Sequence, residues 1–137
     1  MHLMFIGGAT MRFPDEAGTA LAGIYVLLVE PDDESRDVLA SVLEYCGASV
    51  LATPSAKDAV ARLRVITPHV VLSAVSMAEH DGRSLLRASA GRVPAIAVTT
   101  SADAPALLAD GFRGVITKPV DPDALCDAIR RVVSLTE

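Results

Sequence analysis

From residue 24 onward, apolar and polar positions follow two alternating patterns. Ile24-Tyr25-Val26-Leu27-Leu28-Val29 is a continuous aliphatic and β-branched run, the pattern of a strand buried on both faces. Asp32 or Asp33 then offers an N-cap to a helix whose apolar residues Val38, Leu39, Val42, Leu43 and Cys46 share one face. Gly47 stands where a C′ glycine would stop it. The unit recurs. Ala48 to Ala52 reads as a second strand, and Ser55 caps a helix through Ala59, Val60, Leu63 and Ile66, with Asp58 completing a weak capping box before Pro68. Val70 to Val75 is the third strand, followed by an Asp81-Gly82 turn into a helix with Leu85 and Leu86. Pro94 opens the fourth strand, Ala95 to Thr99, and Asp103 starts a short helix through Leu107 and Leu108 that ends at Gly111. Val115-Ile116-Thr117 is the fifth strand. Asp121-Pro122, an N-cap with proline at the first helical position, opens a last helix through Leu125, Ile129, Val132 and Val133.

Five β–α units with wholly apolar strands predict an α/β fold: a doubly wound five-stranded parallel sheet with helices on both faces. For a single domain of this size the flavodoxin-like strand order 2-1-3-4-5 is expected. Residues 1–22 carry glycines and Pro14 without a clear period, and read as a partly mobile N-terminal leader to a domain spanning 23–137; Met11 is an alternative start. In such sheets the site lies at the carboxyl ends of the strands, near the switch point between the first and third. That directs attention to Glu30 to Asp33, Ala74 to Met77, Thr99 to Ser101 and Lys118-Pro119.

Composition narrows the classes. The 137 residues are 51% hydrophobic and 21% charged, which excludes a disordered chain. The formal net charge is −5 and aromatics are only 4%, with no Trp, so neither the electrostatic footprint nor the stacking platforms of a nucleic-acid binder are expected. The apolar N-terminus lacks a preceding basic region, and no apolar run approaches the roughly 20 residues that span a bilayer. Cys46 and Cys126 stand far apart in sequence and read as two small buried residues in a reducing cytosol. A cytoplasmic protein that is neither membrane-bound nor an enzyme is the expectation. His2, His69 and His80 are scattered, and His80, between Glu79 and Asp81, reads as a solvated loop residue.

Residues 24–134 resemble the response-regulator receiver domains of two-component systems. The resemblance rests on Val26 to Arg36 as first strand and acidic loop, Asp81-Gly82 after the third strand, Thr99 at the end of the fourth, and Thr117-Lys118-Pro119 at the end of the fifth. It implies a phosphorelay role in which an aspartate ending the third strand accepts phosphate from a partner histidine. Two acids after the first strand would hold Mg²⁺, a hard cation that takes oxygen ligands and offsets phosphate charge, while Lys and Thr grip the phosphoryl oxygens.

The chain departs from the family at the decisive places. Ala74 stands where the phosphoacceptor belongs, and the spacing from Glu30 to Ala74 leaves no room for a register error. Glu30 keeps the first acidic position, but Pro31 takes the second. The fifth strand has Val115 for the switch aromatic, Thr100 replaces a small residue, and Ala78 replaces the loop proline. Thr99 and Lys118 remain. Glu30, Pro31, Ala74, Thr99 and Lys118 therefore form a degenerate phosphorylation pocket. No catalytic residue is expected, and no cofactor beyond weak Mg²⁺ binding by Glu30 with Asp32 or Asp33, acids whose other reading is to cap the first helix. Ser73 should point to the opposite sheet face, and neither Ser76, Glu79 nor Asp81 is expected to replace the lost aspartate. Lys118 either snorkels to solvent or turns toward Glu30. The second is expected, as a partly exposed pair worth roughly 0–1 kcal/mol, so that Lys118→Ala should cost little stability.

The expected function is that of a pseudo-receiver: a protein–protein interaction module in phosphorelay signalling, with an unidentified signalling partner. In the family the face built from the fourth helix, fifth strand and fifth helix contacts partners and self-associates. That implies Leu107, Val115, Lys118, Asp121 and Leu125 as an interaction face and a possible route to a homodimer. The stretch from Thr99 to Gly111 leaves room only for a short fourth helix, so this face is altered. The chain ends just after its last helix, so output passes through a partner or the chain is a fragment. The alternatives are a receiver with residual Mg²⁺ binding or non-standard phosphorylation, and a flavodoxin-like ligand-binding domain. The latter is disfavoured because Glu30-Pro31-Asp32-Asp33-Glu34 would repel phosphate where a cradle is needed.

Overall fold

The computed structural model describes residues 2–13, 17–74, 81–89, 92–100 and 104–136. After an N-terminal hairpin, β1 (His2–Ile6) and β2 (Ala9–Phe13), and a short helix α1 (Ala17–Ala20), the chain runs β3 (Tyr25–Val29), α2 (Asp33–Tyr45), β4 (Ser49–Thr53), α3 (Ala56–Leu63), β5 (Val70–Ala74), α4 (Asp81–Ser89), β6 (Ala95–Thr99), α5 (Ala104–Asp110), β7 (Gly114–Thr117) and α6 (Pro122–Thr136). The order in the larger sheet is β4-β3-β5-β6-β7 with every pairing parallel. This is the doubly wound order expected from the five β–α units, with the switch point between β3 and β5.

Alternation along the strands divides the core into two layers. Val26, Leu28, Val70, Leu72, Ile96, Val98 and Ile116 face α2 and α6 and pack with Leu39, Val42, Leu43, Leu125, Ile129 and Val132. Leu27, Val29, Val71, Ala95 and Ala97 face the other way, against Ala59 and Leu63 of α3 and Leu85 of α4. The caps are those the side chains dictate. Asp32 accepts the Ser35 N–H at 2.8 Å to start α2, and Ser55 accepts the Asp58 N–H at 3.1 Å to start α3. The α3 helix stops at Leu63, short of Ile66: Val65 and Ile66 both donate their N–H to the Arg62 carbonyl, and the chain leaves the helix ahead of Pro68.

Within the stretch read as a partly mobile leader, the described residues form regular structure. β1 and β2 pair in antiparallel register, His2 with Phe13, and lie against α2 and α6. Met4, Ile6 and Met11 turn toward the α2/α6 layer, and Phe13 and Leu21 are fully buried within it. The Phe13 ring meets Tyr45 edge-on at 4.7 Å. Two glycines allow the close fit. Gly7, at φ +60, lets the hairpin turn lie on α2 where a Cβ would collide with Val38, and Gly47, at φ +99, admits the Gly18 carbonyl 2.8 Å from the place a Cβ would occupy. The Leu21 N–H then closes the fit on the Cys46 carbonyl at 2.8 Å.

Candidate functional site

The site is built at the carboxyl edge of the sheet by the same alternation. Glu30 follows Val26 and Leu28 in parity, and Lys118 follows Ile116, so both fall on the α2/α6 side. The β3–β5 register ends with Val29 opposite Ser73, so the next step sets Glu30 beside Ala74. Between β3 and β6, where a longer side chain would stand, Ala74 offers only a methyl group. Lys118, at the end of β7, reaches across this gap: its Nζ donates to Glu30 Oε1 at 2.7 Å. The Glu30 carboxylate is buried and Lys118 is 28% exposed. The second carboxylate oxygen, Oε2, accepts the Asp32 N–H at 3.1 Å.

The surrounding polar groups fix this arrangement. The Lys118 N–H donates to the Thr99 carbonyl at 2.8 Å, and the Glu30 N–H to the Thr53 carbonyl at 3.1 Å. Thr99 stays at its strand end and is buried. Arg36, which sequence reasoning did not single out, donates to the Glu30 carbonyl at 3.0 Å and to the Asp33 carboxylate at 2.6 Å. The signal for it was the i, i+3 spacing of Asp33 and Arg36 in the first turn of α2. The hydrogen bond from the Ser35 N–H holds the Asp32 carboxyl below its ordinary range, with smaller help from the charges of Lys118 and Arg36. Asp32 is thus a helix cap in this arrangement, and its carboxylate serves α2.

The remaining expected residues are placed as follows. Pro31 and Thr100 are exposed. Ser73 lies on the opposite parity to Ala74 and is buried. Ser76, Ala78, Glu79 and His80 lie outside the described residues, and of Asp81 only the backbone, at the start of α4, is described. The expected interaction face is only partly a surface. Asp121 is exposed, Leu107 and Val115 are half-buried against the α3/α4 layer, and Leu125 is fully buried in the α2/α6 core. Leu125 is therefore corrected to a core residue: its position on α6 points it at the sheet. On α5, Leu108 is 49% accessible, next in sequence to Leu107.

A magnesium ion takes several oxygen ligands and tolerates little distortion, and these residues do not fit that demand. One Glu30 oxygen is held by an ammonium and the other by an N–H, Asp32 caps α2, and Pro31 and Ala74 supply no carboxylate. Among the described residues no three His, Cys, Asp or Glu side chains converge. Among the same residues no helix is long and apolar enough to cross a membrane. A groove of about 600 Å³ opens beside the pair, between the hairpin and the two helices, with Met11 and Arg12, Asp32 and Val38, and Lys118 and Val120 among its walls.

The profile of the response regulator receiver domain matches residues 26–130. The chain belongs to this family. As a receiver domain it carries the flavodoxin-like fold of two-component signalling, a family whose members work through contact with other signalling proteins. The receiver is 40% identical over 114 residues to an uncharacterized 14.6 kDa protein in the sodA1 3′ region of Leptolyngbya boryana, an alignment covering 74% of this chain and 84% of that one. It is 32% identical over 112 residues to the C4-dicarboxylate transport transcriptional regulatory protein DctD of Rhizobium meliloti, covering 77% of this chain but only 24% of DctD. Among solved structures, the receiver domain of the Francisella response regulator 1452 superposes with a TM-score of 0.74 at 21% identity, covering 84% of this chain and all of that one.

Proposed function

We propose that this receiver is a pseudo-receiver: it is not phosphorylated, is not an enzyme, and acts in phosphorelay signalling as a protein–protein interaction module. The observation that carries this reading is the ion pair across the alanine. In the family pattern a carboxylate at position 74 would hold the lysine's ammonium and receive the phosphoryl group. Here a methyl group occupies the position, and Lys118 gives its ammonium to Glu30 at 2.7 Å. An alkyl carbon has no lone pair with which to attack phosphorus. The nearest hydroxyl in sequence, Ser73, is buried on the other parity, out of line with Lys118.

The same geometry bears on the metal. Mg²⁺ binding by Glu30 with Asp32 would have to displace Lys118 and uncap α2, so at best weak binding is expected. With neither a covalent ligand nor an aromatic at position 115, the domain is held in one arrangement by its own sequence, since a ligand shifts an equilibrium only by its differential affinity for two states. The partner surface then consists of the exposed parts of α5, β7 and the Asp121 turn, with Leu108 joining Leu107 and Val115, and a homodimer through this face is the alternative to a separate signalling partner.

The test is incubation of the full chain with acetyl phosphate and Mg²⁺, followed by intact mass measurement. No phosphoryl adduct is expected, for the native chain or for Ala74→Asp, because Pro31 still withholds the second acid. A stable single adduct on the native chain would overturn the reading. Mg²⁺-dependent phosphorylation of Ala74→Asp alone would show a site one substitution from active and would end the idea of a broadly dismantled switch.

A further inference from the structure

Cys46 and Cys126 are 80 positions apart in the chain, and the fold brings their sulfur atoms to 3.2 Å. Cys46 is the C-cap of α2; Cys126 lies in the second turn of α6. Both are free thiols buried in the α2/α6 layer. The Cys126 S–H donates to the Cys46 sulfur. That hydrogen bond lowers the Cys46 thiol from its ordinary pKa while burial opposes it, whereas its donor role and burial both raise Cys126.

The N-terminal segment closes over this end of α2. Leu21 donates its N–H to the Cys46 carbonyl, Gly18 reaches the backbone of Gly47, and Phe13 rests on Tyr45. The thiols are therefore shielded by a segment that joins the sheet layer from outside it. Thiols this deeply buried can be reached by a small oxidant only on local opening.

We propose that Cys46 and Cys126 form a reversible intrachain disulfide that staples the end of α2 to α6 in response to a small-molecule disulfide of the glutathione class. The Cys46 thiol loses its proton to solvent, and its thiolate attacks one sulfur of the oxidant, whose S–S bond breaks to release one thiolate. The Cys126 thiol then loses its proton and attacks the Cys46 sulfur of the mixed disulfide, expelling the second thiolate. Two protein thiols are oxidised, and one small disulfide is reduced to two thiols that take up the two protons. From 3.2 Å the sulfurs must close by about an ångström to reach bonding distance. Intracellular disulfides of this kind are characteristically transient and redox-sensing. The staple joins α2, whose first turn follows Glu30, to α6, whose first turn follows Lys118, and so provides an input that does not pass through Ala74.

The experiment equilibrates the full chain in mixtures of reduced and oxidised glutathione, with and without sub-denaturing urea so that slow opening cannot hide the reaction. Samples are acid-quenched and alkylated, then read by intact mass, peptide mapping and thermal melting. The expected result is conversion from two alkylated thiols to none in a monomer, with one cross-linked peptide pair containing Cys46 and Cys126. The melting temperature should rise by about 5–15 °C and fall back on reduction. Cys46→Ala and Cys126→Ala should each abolish the cross-link and the shift. Retention of both thiols under oxidising conditions with urea present, or formation only of glutathione adducts or intermolecular dimers, would overturn the proposal.

Discussion

The two faces of the sheet are covered unequally. On one, α2, α6 and the N-terminal segment seal the strands, and Phe13, Leu21, Leu125 and Ile129 have no exposed surface. On the other, α5 has no buried residue at all, Leu107 and Val115 are half-exposed, and Leu108 stands out into solvent. The contrast shows that burial decides which apolar residues remain available to a partner. Leu125 and Leu108 are the same residue type on opposite faces of the sheet, and of the two only Leu108 can be touched from outside.

The largest test of this contrast is Phe13→Ala. If the N-terminal segment is part of the core, the loss should be about 3–5 kcal/mol, measured by urea denaturation. A loss below about 1 kcal/mol would mean that the α2/α6 face is no better sealed than the other. Next comes Lys118→Ala. The pair was expected to matter little because both groups were taken as partly exposed, but the Glu30 carboxylate is 3% accessible. Removing the ammonium leaves that charge, among the described residues, with the Asp32 N–H alone, and a cost of about 1–3 kcal/mol is expected. Lys118→Ala together with Glu30→Gln should recover part of it, and a double variant no more stable than the single one would show that the pair does not stabilise this edge. The smallest effect belongs to the open face. Leu108→Ser should change stability by no more than about 0.5 kcal/mol while weakening any association through α5, read by sedimentation or by binding to a captured partner.

Much of this was legible in the chain. Strands buried on both faces announce themselves as unbroken apolar runs, which is why Val26 to Val29 and Ala95 to Thr99 stood out. Caps are local chemistry, so Ser55 and Asp121 could be placed from their neighbours alone, and the first cap narrowed to Asp32 or Asp33. The Glu30–Lys118 contact followed from topology, since both residues end strands on one edge of the sheet. The hairpin was not legible. Its strands are five residues each with Thr10 and Arg12 among the apolar positions, its turn is Gly7-Gly8, and its apolar side is matched to a groove formed by residues far along the chain. The approach of Cys46 to Cys126 was hidden for the same reason: no local pattern records that the end of α2 lies against α6. Leu125 was assigned to a surface because the family's face was carried over by element, whereas burial is a property of the single position.

The hairpin has a consequence for the order of events in folding. Two strands alone are marginal in water, and here the outward positions Leu3 and Phe5 of β1 find no cover, remaining 62% and 72% accessible. The hairpin therefore persists by leaning on α2 and α6, and it can settle only once those helices have docked on the sheet. The hairpin residues are then among the last to become fixed, and among the first to come loose by local unfolding. In hydrogen exchange the amides of β1 and β2 should open well before those of β3 and β5, so that the hairpin keeps the domain's latest clock.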